Sequence, residues 1–475
     1  MKVNGIVAEY NPFHNGHKYQ MALSKQLTGA DFTIVVMSGN FVQRGAPALV
    51  NKHLRAEMAL RCGADLVLEL PALYATASSE YFAAGSVALL DKLGVVSHLC
   101  FGSECGDAAA LEKLAAFLAA EPESYRSALK QLLKQGLSYP DARARALSGL
   151  AVPPARGRNV PSAPADASGG AETAQIPGTE TLPGNCASIL SSPNNILGID
   201  YIKELFKRKS VIAPVTIKRL GAGYHDALSA AERACMEAKS KPSDSAFPPA
   251  VPNSPGPADM PAHSDMPPAS ALALRQALQE GQSPERLRPF IPEEIWPLLD
   301  SCMSEARLLY PDSLSGVLYY KLLLEREQGY EKYLDVSPDL SNRIRNSLNG
   351  FTGFGSFCDT LKTKAFTHTR ISRCLLHILL GITQEDMAAG RAQDYVPYAR
   401  VLGFRRDARP LLHAVREHSA VPLVTKLADT AKNLPADAGR LFNLDILSAE
   451  IYKGLAYGGT GWPAPNEIST PPVIL

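Results

Sequence analysis

Two histidines near the amino terminus stand where a phosphate-binding loop is expected. His14 and His17 flank an Asn-Gly pair in the run NPFHNGH at residues 11–17, between a predicted strand and a predicted helix. Free backbone N–H groups and the helix dipole favour an anion at a helix amino terminus, and imidazole N–H groups donate to phosphate oxygens. Gly16 leaves room for a flat base against the backbone. This loop therefore predicts a nucleotide site.

Other phosphate-binding motifs are missing from this position. Neither GxGxxG nor GxxxxGK(S/T) occurs in the loop, which argues against hydride transfer and against a P-loop enzyme. The alternative is a pair of surface histidines at a helix cap, but a loop placed between a buried strand and a helix favours the nucleotide site. No Ser-His-Asp or Cys-His arrangement is recognisable, so the sequence does not predict a nucleophilic side chain.

The elements that position these residues are typical of a parallel α/β sheet. Short β-branched runs at residues 3–8, 32–37, 65–70 and 95–101 predict strands, and residues 18–27, 52–62 and 79–93 predict helices between them. The fold class is therefore predicted as α/β with a Rossmann-like sheet. In such sheets ligands bind beyond the carboxyl ends of the strands, where the loops that carry Arg44 and Gly102 would lie.

Composition limits the remaining possibilities. The 475-residue chain has net charge +1 and 46% hydrophobic residues, which predicts a soluble globular protein with two or three cores. Its eight cysteines form no CxxC pair, so neither a zinc site nor a disulfide scaffold is indicated, and a reducing cytoplasm fits. No apolar run approaches the roughly 20 residues of a membrane helix. Proline-rich stretches at about residues 151–190 and 240–269 are predicted to be mobile insertions.

Seven sequence motifs are spread along most of the chain outside these insertions. They are NPFHNGH, MSGNFVQRG, LVLELP, FGSE, SSPNNILGIDYIKEL, TIKRLGAGYHD and KTKAFTHTRISRCLLHILLGI. Together they resemble the bacterial tRNA(Met) cytidine acetate ligase family of the HxGH nucleotidyltransferase superfamily. The resemblance implies an ATP-dependent, AMP-forming ligase that activates acetate as acetyl-adenylate and releases pyrophosphate. The acetyl group would then pass to N4 of the wobble cytidine of elongator tRNA(Met).

The resemblance also assigns residues to an ATP site. Catalytic roles fall on His14, His17 and Arg219, which would neutralise charge on the phosphates. The implied ATP contacts are Val7, Ala8, Glu9, Tyr10, Asn11, Pro12, Phe13, His14, Asn15, Gly16, His17, Lys18, Tyr19, Gln20, Gly102, Asn194, Asn195 and Arg219. The sequence leaves open which of the two asparagines contacts ATP. Mg²⁺ is expected with the triphosphate, bound through phosphate oxygens and water, because the sequence shows no dedicated metal cage.

Three further residues are candidates for phosphate contacts: Lys218, Ser270 and Arg275. Ser270 and Arg275 match the ISSTxxR motif that nucleotidyltransferases often carry at the start of a late helix, but Leu272 replaces its hydroxyl residue. An amphipathic helix with a serine cap is the alternative.

Basic side chains in the carboxyl-terminal part predict tRNA binding once the resemblance is considered. The candidates are Lys362, Lys364, Arg370, Arg373, Arg400, Arg405 and Arg406. Helical spacing puts Arg370 and Arg373 on one face. Without the resemblance, two solvated helix faces would be the simpler interpretation. A base splayed from an anticodon loop can reach an acyl carbon, whereas a paired base cannot.

These observations predict two domains. Residues 1–291 form an HxGH nucleotidyltransferase-like ATP-binding domain that contains both insertions, and residues 292–475 form a mainly α-helical domain that binds tRNA. The expected partners are elongator tRNA(Met) and acetate in the cytoplasm, without a membrane. Two other functions stay open: a small-molecule adenylyltransferase and a non-catalytic, nucleotide-responsive RNA-binding protein. The sequence does not identify the residues that recognise acetate or the cytidine base.

Overall fold

The computed structural model describes residues 1–137, 139–151, 186–219, 269–305, 307–364, 366–430, 434, 438–457 and 466–475. The two predicted proline-rich insertions lie almost entirely outside these ranges, except that Cys186–Leu190 forms a short helix. The strands and helices given below belong to the described residues.

Most strands join one sheet. The strands are β1 (Val3–Ala8), β2 (Phe32–Ser38), β3 (Phe41–Val42), β4 (Ala46–Pro47), β5 (Leu66–Leu70), β6 (His98–Ser103), β7 (Ala213–Lys218), β8 (Ala399–Phe404), β9 (Leu423–Val424) and β10 (Val473–Ile474). Their order in the main sheet is β10-β8-β5-β2-β1-β6-β7, with β9 paired to β8, while β3 and β4 form a separate antiparallel pair. The first and third predicted strands agree with β1 and β5 to within one residue, whereas β6 begins three residues later than predicted, at His98.

Five strands of the main sheet run parallel, as the alternation of strands and helices predicts. Within β1, β2, β5, β6 and β7 all pairings are parallel, and Ile6 of β1 lies between Val35 and Cys100. The carboxyl ends of these five strands therefore meet at one edge of the sheet. That edge is where open α/β sheets bind ligands.

Helices cover the sheet and build most of the carboxyl-terminal part. They are α1 (Asn15–Thr28), α2 (Lys52–Arg61), α3 (Ala72–Ala75), α4 (Ser79–Lys92), α5 (Ala108–Ala120), α6 (Glu123–Lys134), α7 (Tyr139–Ala151), α8 (Cys186–Leu190), α9 (Pro193–Arg208), α10 (Ala271–Gln279), α11 (Pro284–Leu287), α12 (Trp296–Ser304), α13 (Ser315–Leu324), α14 (Pro338–Ser347), α15 (Phe354–Leu361), α16 (His368–Leu380), α17 (Gln384–Ala392), α18 (Arg409–His418), α19 (Leu427–Thr430) and α20 (Gly439–Tyr457). In the described part of the chain, no helix is both long enough and apolar enough to cross a bilayer.

Both faces of the sheet are packed. Ile34 and Val36 of β2 enter one cluster of buried side chains, and Val35 and Met37 enter the other, as the two-residue period of a strand requires. The second cluster continues from Phe290 through Leu299. Side chains before and after the predicted boundary between residues 291 and 292 therefore belong to the same buried cluster.

The carboxyl-terminal part also adds strands to this sheet, which the sequence analysis does not predict. β8 pairs antiparallel with β5, so that Arg400 lies opposite Glu69. β9 and β10 then pair with β8. Pairing with β8 satisfies backbone groups that β5 would otherwise expose at a sheet edge. Residues after 292 are mainly helical, as predicted. They also supply β8, β9 and β10 to the sheet that carries the histidine loop.

Candidate functional site

A cavity of about 620 Å³ lies at the carboxyl edge of the parallel strands. Its wall comprises the ends of β1 and β6, the loop after β2, the residue after β7, and the amino-terminal ends of α4, α9, α10 and α16. The predicted ATP-binding residues in the wall are Val7, Ala8, Glu9, Tyr10, Asn11, His14, His17, Gln20, Gly102, Asn194 and Arg219. Ser270 and Arg275 line it too. The fold thus gathers segments more than 250 residues apart in sequence around the histidine loop.

The two histidine rings stack and share one protonation pattern. The ring centroids of His14 and His17 lie 3.7 Å apart. Nδ1 of His14 accepts the Gly16 N–H at 3.1 Å, and Nδ1 of His17 accepts the His14 N–H at 3.3 Å. Since a neutral imidazole that accepts at Nδ1 carries its proton at Nε2, each ring keeps an Nε2–H donor. These contacts start α1 and leave two donors for an anion.

Both histidines are neutral at physiological pH. Burial, followed by the charges of Arg219 and Arg275, lowers the pKa of His14 from its ordinary value of 6.5 to about 3. Burial also lowers the pKa of His17 well below 6.5, with smaller contributions from His14 and Arg219. The positive charges of the two arginines thus disfavour the protonated form of His14. We call His14, His17, Arg219 and Arg275 the histidine wall.

The two arginines of the histidine wall come from different elements. Arg219 follows β7, and its Cγ lies 3.3 Å from where a Cβ on Gly102 would be. Any side chain at position 102 would therefore press on Arg219. Arg275 of α10 donates to the carbonyl oxygen of Asn11 in the histidine loop. Each arginine is thus held beside a backbone segment that the sequence analysis assigned to ATP.

Ser270 combines the two interpretations that the sequence left open. Its hydroxyl accepts the Ala273 N–H at 3.1 Å and caps α10, as the simpler interpretation predicts. At the same time Ser270 and Arg275 line the cavity, so this helix amino terminus lies beside the histidine loop in spite of Leu272. Lys218, the other candidate for a phosphate contact, is exposed and lies outside the cavity wall.

The structure separates the roles of the two asparagines. Asn194 lines the cavity. Asn195 is buried, and its side chain accepts the N–H groups of Glu104 and Cys105 at 2.9 and 3.1 Å. The Glu104 carboxylate in turn accepts the backbone N–H groups of both asparagines at the start of α9. Asn195 therefore fixes the loop after β6, and Glu104, which the sequence analysis did not assign, caps the helix that carries Asn194.

A second set of cations lines the cavity on the other side of β1, next to β2. The set consists of Arg44 from the loop after β2 and Arg370 and Arg373 from α16; together with Gln43 and Thr367 we call it the α16 wall. Ser372 donates its hydroxyl to the Gly45 carbonyl oxygen at 3.0 Å. A Cβ on Gly45 would lie 2.4 Å from the backbone nitrogen of Arg373, so only glycine permits this contact between the two backbones. The loop after β2 is thereby tied to α16.

The α16 wall changes the place of two residues that the sequence assigned to tRNA. Arg370 and Arg373 lie in the same cavity as His14 and His17, whereas the sequence analysis gave them to a separate RNA surface. No local sequence signal could have shown this, because helix periodicity states which residues share a face and not what the face packs against.

A buried arginine joins the strand ends behind the cavity. Arg55 is fully buried, and its Nε donates to the Val50 carbonyl at 3.0 Å. Its terminal nitrogens donate to the carbonyl oxygens of Glu9, Ser38 and Gly39. Burial lowers the pKa of Arg55 to about 10, so it stays charged at neutral pH. Arg55 holds the end of β1 against the end of β2, a role that nothing in the sequence of α2 distinguishes.

Other residues of the predicted ATP segment support the loop from behind. Asn15 donates to the Pro289 carbonyl at 2.8 Å, and Lys18 pairs with Glu294. A Cβ on Gly16 would lie 2.9 Å from Cε1 of His14, so the absence of a side chain at Gly16 makes room for the imidazole. The predicted residues that do not line the cavity are Pro12, Phe13, Asn15, Gly16, Lys18, Tyr19 and Asn195.

The remaining basic candidates for tRNA lie in three different places. Lys362 and Lys364 are exposed just before α16. Arg400 does not fit the prediction, because it is 3% exposed and pairs with Glu69 and Glu467 inside the protein. Burying a charge requires such partners, and they withdraw Arg400 from any RNA surface.

Arg405 and Arg406 lie at the opposite edge of the sheet. The backbone N–H of Arg405 donates to the Asp65 carbonyl, just before β5 begins, and β8 runs antiparallel to β5. These two arginines therefore lie a full strand length away from the cavity. Arg405 also pairs with Asp407 at 2.7 Å.

The described residues contain no group of three or more His, Cys, Asp or Glu side chains placed to hold a metal ion. The acidic side chains of the cavity wall are Glu9, Glu80, Glu121 and Asp200. One Glu9 carboxylate oxygen accepts the Gln43 N–H at 2.9 Å.

Comparison with known proteins bears on this site. The model of the HIGH Nucleotidyl Transferase family matches residues 1–240 and 259–459. A tRNA(Met) cytidine acetate ligase of Acetivibrio thermocellus is 37% identical over 453 residues, which cover 95% of this chain and 94% of that protein. The protein of the same name from Clostridium kluyveri is 37% identical over 454 residues, with 95% and 94% covered. The crystal structure of Thermotoga maritima TmcAL bound with alpha-thio ATP matches all of both chains with a TM-score of 0.80 and 29% identity.

Proposed function

Because this chain belongs to the tRNA(Met) cytidine acetate ligase family within the HIGH nucleotidyl transferases, we propose that it acetylates a cytidine of tRNA at the expense of ATP. In this proposal acetate is first activated as acetyl-adenylate with release of pyrophosphate. The acetyl group then passes to N4 of the wobble cytidine of elongator tRNA(Met). The enzyme acts in the cytoplasm.

The observation that carries the proposal is the histidine wall in a cavity at the carboxyl edge of the sheet. Its two neutral imidazoles offer N–H donors, and Arg219 and Arg275 lie close enough to lower the pKa of His14. A triphosphate placed here would receive hydrogen bonds and charge neutralisation together. Gly102 and Asn194 lie in the wall on the β6 side, where the nucleoside would extend.

The first step needs no nucleophilic side chain. An acetate oxygen attacks the α-phosphorus, the bond between that phosphorus and the bridging oxygen to the β-phosphate breaks, and pyrophosphate leaves. Negative charge grows on the pyrophosphate as the bond breaks, so fixed cations and donors lower the barrier. In the proposal, His14, His17, Arg219 and Arg275 supply that stabilisation. Holding acetate in line with the α-phosphate supplies the rest.

Mg²⁺ is proposed to accompany the triphosphate. It would be bound mainly through phosphate oxygens and water, and it would neutralise charge on the β- and γ-phosphates. Assigning it to the substrate requires no cluster of acidic ligands in the protein.

The second step brings RNA to the same cavity. The exocyclic amine of cytidine attacks the acetyl carbonyl carbon, the bond to the adenylate oxygen breaks, AMP leaves and the amine loses a proton. The base must leave its stack to enter the cavity, which an unpaired wobble base can do. Lys362 and Lys364, exposed just before α16, are proposed to bind phosphates of the anticodon arm.

Labelled acetate provides the test. The protein is incubated with ATP, [¹⁴C]acetate and an unmodified transcript of elongator tRNA(Met), and the RNA is digested to nucleosides. We expect the label in N4-acetylcytidine, with one AMP and one pyrophosphate formed for each acetyl group transferred. A transcript in which uridine replaces the wobble cytidine is the matched control and should take up no label.

Two outcomes would contradict the proposal. Folded protein that binds ATP yet never labels the RNA would remove the ligase function. Pyrophosphate release that needs a phosphorylated metabolite and no RNA would instead indicate a small-molecule adenylyltransferase.

A further inference from the structure

The cavity must hold two anions at once if the proposed function is correct. The triphosphate and the carboxylate of the acid repel each other, and this repulsion is strong where water is scarce. The histidine wall can neutralise only what lies beside it. A second cationic group is needed where the acid sits, and the α16 wall places one on the β2 side of β1.

Arg373 is the member of the α16 wall with a buried hydrogen-bond donor that an anion could satisfy. Its Nε is buried and has no hydrogen-bond partner among the described residues. Burial lowers the pKa of Arg373, and the charge of Asp335 offsets this only in part. Oδ2 of Asp335 likewise lacks a hydrogen-bond partner in the described structure. A buried donor without an acceptor is unfavourable unless a ligand supplies one.

The position of Arg373 is fixed by backbone contacts. Ser372 is hydrogen-bonded to Gly45, and the absence of a side chain at Gly45 lets the backbone nitrogen of Arg373 approach the loop after β2. Thr367 caps α16 by accepting the Arg370 N–H. Arg373 is therefore held in the second turn of α16, beside the loop after β2, and it lines the cavity, which is the arrangement a substrate-positioning residue requires.

We propose that Arg373 binds the carboxylate of the acid substrate and directs one of its oxygens toward the α-phosphate of ATP. This inference rests on the proposed function and adds to it the acid-binding residue. A guanidinium matches a carboxylate with two parallel N–H donors, so Arg373 both neutralises and orients the acid. In the step, one carboxylate oxygen forms the bond to phosphorus, pyrophosphate departs with the bonding electrons, and no proton is transferred.

A phosphate of tRNA is the competing ligand for Arg373. Burial argues against it, because Arg373 is largely enclosed whereas Lys362 and Lys364 are exposed and open to a polyanion. Arg370 has a partner within the protein, since its guanidinium carbon lies 5.2 Å from the ring centroid of Phe366. If Arg373 binds a phosphate of tRNA instead, its substitution should change the KM for tRNA and leave the KM for acetate unchanged.

The test measures acetate-dependent exchange of pyrophosphate into ATP, without tRNA, for the wild-type chain, Arg373→Gln and Arg373→Lys. Loss of a charge-assisted hydrogen bond predicts that Arg373→Gln raises the KM for acetate about tenfold or more, with the KM for ATP within about twofold of wild type. Arg373→Lys keeps the charge and loses the fork, so its KM for acetate should lie between the two. Arg416→Gln, which removes an exposed arginine of α18, is the matched control and should leave both constants unchanged.

A binding measurement avoids dependence on turnover. The probes are 5′-O-(N-acetylsulfamoyl)adenosine, which mimics acetyl-adenylate, and 5′-O-sulfamoyladenosine, which lacks the acetyl group. We expect the acetyl group to tighten binding to the wild-type chain, and this gain to shrink in both Arg373 variants. Arg373→Lys preserves the aliphatic part of the side chain and its charge. The gain in binding from the acetyl group can therefore be measured in this variant even if Arg373→Gln does not fold.

The outcomes separate this inference from the proposed function. If the wild-type chain shows no acetate-dependent exchange and no acetylation of tRNA, the proposed function itself is wrong. If the wild type is active and the Arg373 variants keep the wild-type KM for acetate and the wild-type gain from the acetyl group, the acid-binding role is overturned. A rise in the KM for tRNA alone would assign Arg373 to the RNA.

Discussion

The histidine wall and the α16 wall line one cavity, yet they are built in different ways. The two histidines lie three residues apart on one loop, and their rings stack through hydrogen bonds that also start α1. The α16 wall instead depends on contact between residue 45 and residues 372 and 373, which are more than 300 residues apart in sequence. A local motif builds the histidine wall, whereas tertiary packing builds the α16 wall.

This difference suggests a division of labour within one site. The part common to enzymes that use ATP can be encoded in a short loop, since a helix start already favours phosphate. In our proposal the part that binds the acid is the α16 wall, which comes from another region of the fold. Substitutions on the two walls should therefore change different kinetic constants, and the predictions below test that separation.

The largest effect is expected for His14→Asn. Asparagine can still accept the Gly16 N–H and cap α1, but it cannot place a donor where the imidazole Nε2–H lies. We expect acetate-dependent pyrophosphate exchange to fall about 10²- to 10³-fold, as for loss of a transition-state donor. The thermal unfolding midpoint should stay close to that of wild type. Near-normal exchange in this variant would contradict the role of the histidine wall.

A smaller effect is expected for Arg219→Ala, with its sequence neighbour as control. Arg219 lines the cavity and Lys218 does not. Removing a charge-assisted hydrogen bond should raise the KM for ATP about tenfold in Arg219→Ala. Lys218→Ala should leave it nearly unchanged. Equal effects of the two substitutions would mean that general positive charge, not the cavity wall, attracts ATP.

Binding of tRNA should depend on the exposed lysines just before α16. Replacing both Lys362 and Lys364 by alanine should weaken tRNA binding. The slope of the logarithm of the binding constant against the logarithm of the salt concentration should become shallower by about one unit for each phosphate that is no longer neutralised. The double change at Arg405 and Arg406, at the far edge of the sheet, should leave the dissociation constant for tRNA unchanged. Filter binding at several salt concentrations measures both. The reverse pattern would place the anticodon arm at the other edge.

The smallest expected change is in the pH profile. Because the pKa of His14 is about 3 and that of His17 is also well below 6.5, both rings stay neutral between about pH 6 and 8. The exchange rate should therefore show no inflection near pH 6.5. An inflection that disappears in His14→Asn would show that the imidazole titrates in the free enzyme.

The same shifts affect stability. A histidine that is neutral in the fold gains a proton on unfolding once the pH falls below 6.5, so its contribution is complete above that pH and is lost progressively down to about 3. Acidification from pH 7.5 to 5.5 should lower the unfolding temperature of wild type more than that of His14→Asn. An equal loss would contradict the depressed pKa of His14.

Sequence reasoning reached the local features of this molecule and missed the distant contacts. β1, β2, β5, β6 and the histidine loop follow from hydrophobic runs and a short motif. β8 was not predicted as part of the sheet, because nothing in residues 399–404 shows that they pair with residues 66–69. Arg370 and Arg373 were recognised as basic, but their position in the cavity depends on what α16 packs against.

The presence of a positively charged residue in the sequence was the least reliable indicator of that residue's role. Arg400 looks like a surface cation in the sequence, yet Glu69 and Glu467 hold it inside the protein. Arg55 drew no attention, yet it fixes the strand ends through four carbonyl oxygens. In both cases the partners lie on other elements, so the sequence around each arginine carries no sign of its role.

Trapping the intermediate tests the central claim most directly. The wild-type chain is mixed with [α-³²P]ATP, [¹⁴C]acetate and elongator tRNA(Met) whose wobble cytidine is replaced by uridine, so that acetyl transfer is blocked. After acid quenching, we predict one compound that carries both labels, formed by the wild-type chain and not by His14→Asn. Acetate label that never joins the α-phosphate, with wild-type protein that still acetylates normal tRNA, would contradict activation of acetate in this cavity.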